Sequence, residues 1–226
     1  MTAPVNPFRI AVLASGRGSN LAALIEACAD GRIPARIVLA ASDKVTAPAL
    51  RLAEARSIAT LGLAPRGYPS RAAFDADLFA RVAASGADLV VLAGFMRILD
   101  AEVVDAWAGR IVNIHPSLLP KYPGLDTHRR ALEAGDAAHG ASVHFVTAEL
   151  DGGPLIAQVR IATMPDDTAE SLAARLLPRE HELLVACVAD IAGGRIRLDG
   201  QRVLRDGKPL ARPLELAAGK LVASAA

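Results

Sequence analysis

The sequence predicts a single-domain α/β protein, in which a mostly parallel, twisted sheet carries helices on both of its faces. Short runs rich in β-branched residues alternate with longer stretches of Ala, Leu and Arg that have helical period. The short runs are apolar on both faces, as expected of parallel strands that are buried between helices. The chain has 226 residues, of which 52% are hydrophobic, and this is enough for one buried core of this kind.

Strand and helix candidates alternate through the first half of the chain. The predicted strands are Arg9–Ala14, Arg36–Ala41, Leu89–Ala93, Ile111–Ile114, Ser142–Val146 and Leu155–Ile161, with Ile58–Leu63 as a further short strand. The predicted helices of this half are Leu21–Ala29, Ala47–Ala55, Arg71–Ala84 and Ala101–Ala108. This order of elements is typical of a sheet whose strands run parallel.

The last third of the chain is organised differently. A long amphipathic helix is predicted over Thr168–Ala189, because the Asp-Asp-Thr sequence at its start provides a cap and an acidic first turn. An Asp-Gly turn between Arg195–Leu198 and Arg202–Leu204 then predicts a β-hairpin. Residues 213–226 have no evident packing partner and are expected to be flexible. Since there is no repeat and no linker, residues 1–226 are expected to form one domain.

Composition and charge exclude several classes of protein. A formal net charge of +1 is not that of a general nucleic-acid binder, which carries a basic face. No run approaches the roughly 18 apolar residues of a membrane helix, and the amino terminus lacks a secretory signal. Cys28 and Cys187 lie in apolar stretches and are typical of reduced core residues. A cytoplasmic protein without a nucleic-acid or membrane partner is therefore expected.

A glycine-containing loop, Ser15–Asn20, follows the first predicted strand. Its glycines allow a tight turn, and the amino terminus of the next helix favours an anion. Leu21 stands where a dinucleotide fingerprint requires its third glycine, although Asp43 could bind a ribose hydroxyl as in NAD-dependent enzymes. The loop favours a monophosphate over a dinucleotide without excluding either. A simple glycine turn capped by Ser19 is compatible with both.

Asn113 and His115 are the clearest candidates for chemistry. They lie two residues apart at the end of a predicted strand and therefore project to the same face. Pro116 keeps the backbone of His115 extended. An amide donor and an imidazolium donor at the carboxyl edge of a parallel sheet could together stabilise an oxyanion on a carbonyl carbon. The alternative is that Asn113 caps a turn and His115 is a hydrogen-bonded structural residue.

A third candidate, Asp151, lies in the glycine-rich segment Glu149–Pro154. Its sequence is that of a turn, but its carboxylate could also pair with His115 and pass protons. The preceding strand places Ser142 and His144 on one face, which suggests that this face lines a wet cavity. His144 is equally compatible with a buried structural role, and His128 and His139 lie in polar loop-like or helical surroundings. No Cys/His cluster or HExxH sequence is present, so no metal is expected.

Four segments together resemble the phosphoribosylglycinamide formyltransferases of purine biosynthesis. They are ASGRGSNL (Ala14–Leu21), LAGFMRIL (Leu92–Leu99), NIHPSLLPKYPGLDTH (Asn113–His128) and HGASVHFVTAELDGGPLIAQ (His139–Gln158). The similarity runs from about Arg9 to the final hairpin, with the motifs in the same order. The resemblance implies a Rossmann-like fold with a nucleotide- and phosphate-binding half at 9–114 and a folate-binding and catalytic half at 115–205.

The resemblance also implies roles for individual residues. The catalytic residues would be Asn113, His115 and Asp151. The ribonucleotide would be bound by Gly18, Ser19, Asn20 and Glu180. The folate would be bound by Arg71, Met96, Arg97, Ile98, Leu99, Asn113, Thr147, Ala148, Glu149, Leu150 and Asp151, with Ser142 and His144 in support. Asp43 departs from the Asn that is common in the family, and its carboxylate would weaken phosphate binding unless Lys44 compensates.

The reaction implied is transfer of a formyl group from 10-formyltetrahydrofolate, as co-substrate, to the amine of phosphoribosylglycinamide. No bound cofactor, metal or ATP is needed, and the enzyme would be a monomer or a homodimer. Among related enzymes, methionyl-tRNA formyltransferase would need an added RNA-binding domain. Formyltetrahydrofolate deformylase, a hydrolase, would need an amino-terminal domain, for which a first strand at Arg9 leaves no room. An NAD-dependent oxidoreductase and a nucleotide-binding module without catalysis are the alternatives from other classes.

Overall fold

The structure, a computed structural model, describes residues 7–224. Residues 1–6 and 225–226 lie outside the described part; they include the start of the segment examined for a secretory signal and the end of the expected flexible tail. The helices are α1 (Ser19–Ala29), α2 (Pro48–Glu54), α3 (Arg71–Ala84), α4 (Ala101–Ala106), α5 (Thr127–Glu133) and α6 (Ala169–Ala192). The strands are β1 (Phe8–Leu13), β2 (Ala35–Ser42), β3 (Thr60–Gly62), β4 (Leu89–Leu92), β5 (Ile111–His115), β6 (Ala138–Phe145), β7 (Leu155–Ala162), β8 (Ile196–Asp199), β9 (Arg202–Arg205), β10 (Lys208–Pro209), β11 (Leu214–Ala217) and β12 (Lys220–Val222).

A nine-stranded sheet in the order β12-β11-β7-β6-β5-β4-β1-β2-β3 forms the centre of the molecule. Strands β1 to β5 pair in parallel with one another, whereas β6 is antiparallel to both β5 and β7. The prediction of a mostly parallel sheet is therefore confirmed. The strand order reverses beside β1, where the chain moves to β2 on one side and later to β4 on the other. Ligands bind at such a point in open α/β sheets.

Helices cover both faces of the sheet, as predicted. One hydrophobic core lies between the sheet and helices α1 and α6, where Leu21, Leu24 and Leu183 are fully buried. The other lies beneath α3 and α4, where Phe74 and Leu78 are fully buried. The strands β1 and β4 contribute residues to both cores because alternate side chains point to opposite faces. Their apolar character on both faces follows from this double burial.

The long carboxyl-terminal helix α6 begins where its cap was predicted. The Thr168 hydroxyl accepts the N–H of Ser171, and the Ser171 hydroxyl accepts the N–H of Thr168, which completes a capping box. The following hairpin of β8 and β9 is also as predicted, and β10 extends it into a small second sheet. Over residues 7–224, no helix combines the length and apolar character required to cross a membrane.

The expectation that residues 213–226 lack a packing partner is wrong for the part that the structure describes. Strand β11 pairs in parallel with β7, and β12 pairs with β11, so this segment extends the main sheet. Leu214, Leu216 and Leu221 are at most 7% exposed and belong to the first core. The run is short and interrupted by a glycine turn, which is why it carried no strand signal of its own.

Candidate active site

The carboxyl ends of β4 and β5 and the first turn of α1 open onto a cavity of about 580 Å³. It is lined by Leu92, Gly94–Leu99, Val104, Asn113–Pro116, Gly124–His128, Val146–Asp151, Asn20, His144 and Glu180. The lining is mostly apolar, with a few polar side chains that converge from different elements, as in small-molecule sites. Asn113, His115 and Asp151 are among them, so the structure brings the three predicted catalytic residues together.

Strand β5 fixes the directions of Asn113 and His115. In the antiparallel pairing with β6, Asn113 lies opposite His144 and His115 lies opposite Ser142. The Asn113 amide nitrogen is 3.2 Å from His144 Nε2 and 3.4 Å from Asp151 Oδ1. Because Asn113 lies within β5 and its amide nitrogen faces the cavity beside these two groups, it is a positioned donor rather than the cap of a turn.

His115 is placed between two hydrogen-bond acceptors. Its Nε2 lies 2.9 Å from the backbone carbonyl of Tyr122, and its Nδ1 lies 3.5 Å from Asp151 Oδ2. The doubly protonated ring satisfies both neighbours, whereas a neutral ring turns one lone pair towards an acceptor. Burial lowers the pKa of His115, and the Tyr122 carbonyl and the Asp151 carboxylate oppose that shift. Binding events that strengthen the contact with Asp151 will therefore favour the imidazolium.

Asp151 is held in the turn that connects β6 and β7. Its backbone has a φ of 51°, and the two glycines that follow it form a tight bend. The Gly124 N–H donates to Asp151 Oδ2 at 2.8 Å, and the ring of His144 lies 3.7 Å from Oδ1. Burial opposes ionisation of this carboxyl, but these contacts and the nearby His115 outweigh it and lower the pKa of Asp151. The group is therefore a carboxylate at neutral pH.

His144 has a defined hydrogen-bonding role beside these residues. Its Nδ1 lies 2.9 Å from the carbonyl of Phe145, so Nδ1 carries a hydrogen. In the neutral ring, Nε2 then accepts from the amide of Asn113. His144 is only 2% exposed. Its burial and its hydrogen bonds fit the alternative of a structural residue, and its role in support of the catalytic residues stays a prediction.

Ser142 does not line the cavity, and the suggestion that its face of the strand is wet is wrong at this position. Ser142 is fully buried, and its hydroxyl accepts the N–H of Leu119 and donates to the carbonyl of Ser117. Gln158 donates to the same hydroxyl at 2.9 Å. These bonds hold the segment that follows His115, so Ser142 contributes to the shape of the site from behind it.

The predicted ribonucleotide region divides into two parts. Gly18 is the residue before α1 and has a φ of 81°, where a side chain would lie 2.8 Å from the Cβ of Ala49. The alternative in which Ser19 caps the helix is wrong, because α1 begins at Ser19 itself and has no side-chain cap. Neither Gly18 nor Ser19 lines the cavity, whereas Asn20 and Glu180 do. The anion-favouring turn therefore lies beside the cavity rather than within it.

Glu180 is an unusual carboxyl group within an apolar helix face. It is 8% exposed, and burial raises its pKa from the ordinary value of 4.5 to about 7, against the effect of a hydrogen bond from Asn20. Asn20 Oδ1 is buried without a hydrogen-bond partner among the described residues. A buried carboxyl group with a raised pKa and an amide oxygen without a partner, both at the wall of a cavity, are candidates for ligand recognition.

The predicted folate walls have an apolar rim. Met96, Ile98 and Leu150 are 61%, 52% and 50% exposed, although all three are large hydrophobic residues. The guanidinium of Arg97 lies 4.6 Å from the ring centre of Phe74, which holds it against the protein. Thr147, Ala148 and Glu149 complete the opposite wall.

One predicted folate residue is not brought into the cavity. Arg71 is the first residue of α3, is exposed, and is not among the residues that line the cavity. Its placement relied on the resemblance alone, and no strand or turn pattern in the sequence located it.

Several residues of the site were not predicted. The segment Gly124–His128 lines the cavity, and the Tyr122 carbonyl holds His115. Both lie within the motif Asn113–His128. Tyr122 and Gly124 act through backbone atoms, so their residue types do not indicate these contacts. His139 is not in polar loop-like surroundings: it is 1% exposed on β6 and lies 2.9 Å from His128 Nδ1. Among residues 7–224 no group of three or more His, Cys, Asp or Glu side chains could hold a metal ion.

Comparisons with known proteins show which proteins this chain is similar to. A family model described as formyl transferase matches residues 8–188. The chain is 46% identical over 207 residues to the phosphoribosylglycinamide formyltransferase of Escherichia coli (strain K12), covering 88% of this chain and 98% of that protein. The solved phosphoribosylglycinamide formyltransferase of Coxiella burnetii has a TM-score of 0.87 at 43% identity, covering 91% of this chain and 97% of that chain. A formyltetrahydrofolate deformylase of Pseudomonas putida KT2440 has a TM-score of 0.79 at 26% identity, covering 90% of this chain and 72% of that chain.

Proposed function

The chain belongs to the formyl transferase family, and we propose that it transfers the formyl group of 10-formyltetrahydrofolate to the amine of phosphoribosylglycinamide. The products would be formylglycinamide ribonucleotide and tetrahydrofolate, in the synthesis of purines. The observation that carries this proposal is the convergence of the Asn113 amide and the His115 ring on the two oxygens of Asp151, within one apolar cavity. The relatives that match over nearly their whole length carry this activity in their names and support it.

Formyl transfer requires stabilisation of one developing negative charge. The substrate amine attacks the formyl carbon, and the carbonyl oxygen becomes an oxyanion in a tetrahedral intermediate. Asn113 and His115 both lie beside the carboxylate of Asp151. The Asn113 amide nitrogen is 3.4 Å from Oδ1, and His115 Nδ1 is 3.5 Å from Oδ2. An oxygen bound beside that carboxylate is within reach of both donors, and each such donor contributes about 2.7–4 kcal/mol to the transition state.

The second requirement is movement of one proton. The amine loses a proton as its bond to the formyl carbon forms, and the folate nitrogen gains a proton as its bond to that carbon breaks. Asp151 is ionised and lies within the cavity, so it can accept the proton from the amine and pass it to the folate nitrogen. Before it accepts that proton, its negative charge favours the protonated form of His115. Holding both substrates in attack geometry supplies much of the remaining acceleration. The reaction balances without a covalent enzyme intermediate.

Other features of the proposed enzyme follow from the same site. We propose that the folate is a co-substrate rather than a resident cofactor, and that the partners are small molecules. Free Cys28 and Cys187 support a cytoplasmic location. We propose that the enzyme is a monomer or a homodimer. We also propose that Arg71 contacts the folate, which requires that the bound folate extends beyond the cavity to the first turn of α3.

The test is a steady-state assay in which folate absorbance is followed with and without phosphoribosylglycinamide. Turnover only in the presence of the ribonucleotide is expected. Turnover at an equal rate without it would establish a hydrolase, the activity named for the relative at 26% identity. Absence of turnover in both cases, with binding retained, would leave a nucleotide-binding module.

A further inference from the structure

Three loops at the carboxyl edge of the sheet meet at one buried hydroxyl group, that of Ser15. Ser15 is 3% exposed and follows the end of β1. Its hydroxyl donates to Asp43 Oδ1 at 2.5 Å and accepts the N–H of Met96 at 2.9 Å. Asp43 lies in the loop that follows β2, and Met96 lies in the loop that follows β4. The N–H of Ser15 donates to the carbonyl of Gly94 at 3.0 Å. One side chain therefore holds two neighbouring loops to the loop that contains it.

These loops belong to different substrate regions of the proposed function. Met96 is the first residue of the predicted folate wall Met96–Leu99. Gly16, next to Ser15, accepts the N–H of Ala49 at 3.2 Å and leads into the turn at Gly18, where the phosphate is expected. A ligand that fixes either loop consequently restricts the other loop through the same hydroxyl.

We infer that Ser15, held by Asp43, is a positioning residue that couples the two substrate regions, so that each substrate strengthens binding of the other. The inference rests on the proposed function. Met96 has an exposed side chain, and its backbone at the mouth of the cavity is anchored by this bond. Ordering such a segment costs conformational entropy, and the first ligand to order it lowers the cost for the second. The coupling must be reciprocal, because it is a difference in binding free energy.

Substitutions of Asp43 distinguish the effect of its hydrogen bond to Ser15 from the effect of its charge. An Asn at this position retains an oxygen that accepts from Ser15, whereas Ala leaves the buried hydroxyl without its acceptor. The substitution Asp43→Asn is therefore expected to retain the coupling, and Asp43→Ala to lose it together with Ser15→Ala. Ser171→Ala is the matched control, because it removes a serine hydroxyl that also accepts a backbone N–H, at the start of α6.

The experiment uses tetrahydrofolate, which has no formyl group, together with phosphoribosylglycinamide, so that both substrate regions are filled without reaction. The dissociation constant of tetrahydrofolate is measured by calorimetry alone and with saturating ribonucleotide, and the reverse titration is run with saturating tetrahydrofolate. In the wild type the ribonucleotide is expected to tighten folate binding by about fivefold or more, in both directions equally. In Ser15→Ala this factor should fall to near unity, while Ser171→Ala keeps it.

Each outcome decides the inference. A wild-type factor retained in Ser15→Ala, or lost to the same extent in Ser171→Ala, would overturn it while leaving the proposed function intact. Loss in Ser15→Ala and Asp43→Ala with retention in Asp43→Asn would support it. Wild-type turnover is measured in parallel, because an inactive wild type would overturn both the proposed function and this inference.

Discussion

Replacing Glu180 by Gln is expected to stabilise the protein at alkaline pH and to weaken ribonucleotide binding. Burial raises the pKa of this carboxyl from 4.5 to about 7, which corresponds to about 3 kcal/mol by the free energy of one pKa unit. Because the folded-state pKa is the higher one, the folded state binds the proton more tightly than the unfolded state. Stability is therefore lost as the pH rises from 4.5 to about 7, and the full cost is present above that range.

The glutamine variant does not titrate, so it avoids this cost while keeping a similar shape. Its free energy of unfolding should exceed that of the wild type by up to about 3 kcal/mol near pH 8, and the two should converge below about pH 4.5. Urea unfolding can be followed by the fluorescence of Trp107, the single tryptophan, which is 8% exposed. The control is Glu182→Gln, an exposed residue of the same helix that pairs with Arg179, for which less than about 1 kcal/mol is expected.

The same substitution has a functional consequence that separates it from a purely structural one. A protein that retains a buried carboxyl at a cost in stability is expected to use it, and the proposed use is recognition of the ribosyl-glycinamide part of the substrate. The KM for the ribonucleotide should rise in the Gln variant, with little change in the KM for the folate. An unfolding difference that is the same at every pH, or a destabilised variant near pH 8, would refute the reasoning.

Three other perturbations test the remaining parts of the account. Asn113→Ala removes one proposed oxyanion donor and should lower turnover by about a hundred- to a thousandfold; ribonucleotide affinity, from calorimetry, should stay near the wild-type value, and near-normal turnover would exclude the role. Gly18→Ala places a Cβ 2.8 Å from that of Ala49 at a φ of 81°. The free energy of unfolding should fall by about 1–2 kcal/mol or more, and thermal unfolding should therefore occur at a lower temperature. Leu216→Ala should lower the free energy of unfolding by about 2–5 kcal/mol because this residue of β11 is buried, whereas Val222→Ala, at an exposed site, should lower it much less. Equal losses of stability in the two variants would argue against a packed carboxyl-terminal segment.

The parts of the fold that the sequence predicted are those with a strong local pattern. Strand β5 was recognisable from its apolar run, and the alternation of side chains along it placed Asn113 and His115 on one face before any contact was known. Helix α6 was recognisable because its cap and its period agree. In each case one short segment contains all of the information.

The parts that could not be predicted depend on distant segments. Strand β11 is four residues long, and it is a strand because β7 lies beside it, with Leu214 of β11 opposite Ala157 of β7 although the two are far apart in the chain. Helix α5 was missed because it has only seven residues and follows Asp126, whose φ of 58° gives no conventional cap. The backbone groups that hold His115 and Asp151 were invisible for a related reason, since any residue type can supply a carbonyl or an N–H.

The central claim is that the carboxylate of Asp151 acts in the chemical step and not in binding of the ribonucleotide. The most direct measurement is the single-turnover rate of formyl transfer by Asp151→Asn, with both substrates saturating and the ribonucleotide dissociation constant determined separately. The control is Asp206→Asn, in the turn between β9 and β10. Asp206 is also an aspartate with a positive φ, 49°, so the control removes one negative charge from a similar backbone conformation. We expect a rate lowered by about a hundredfold or more for Asp151→Asn, unchanged ribonucleotide binding, and a wild-type rate for the control. A wild-type rate for Asp151→Asn, or a loss confined to binding, would contradict it.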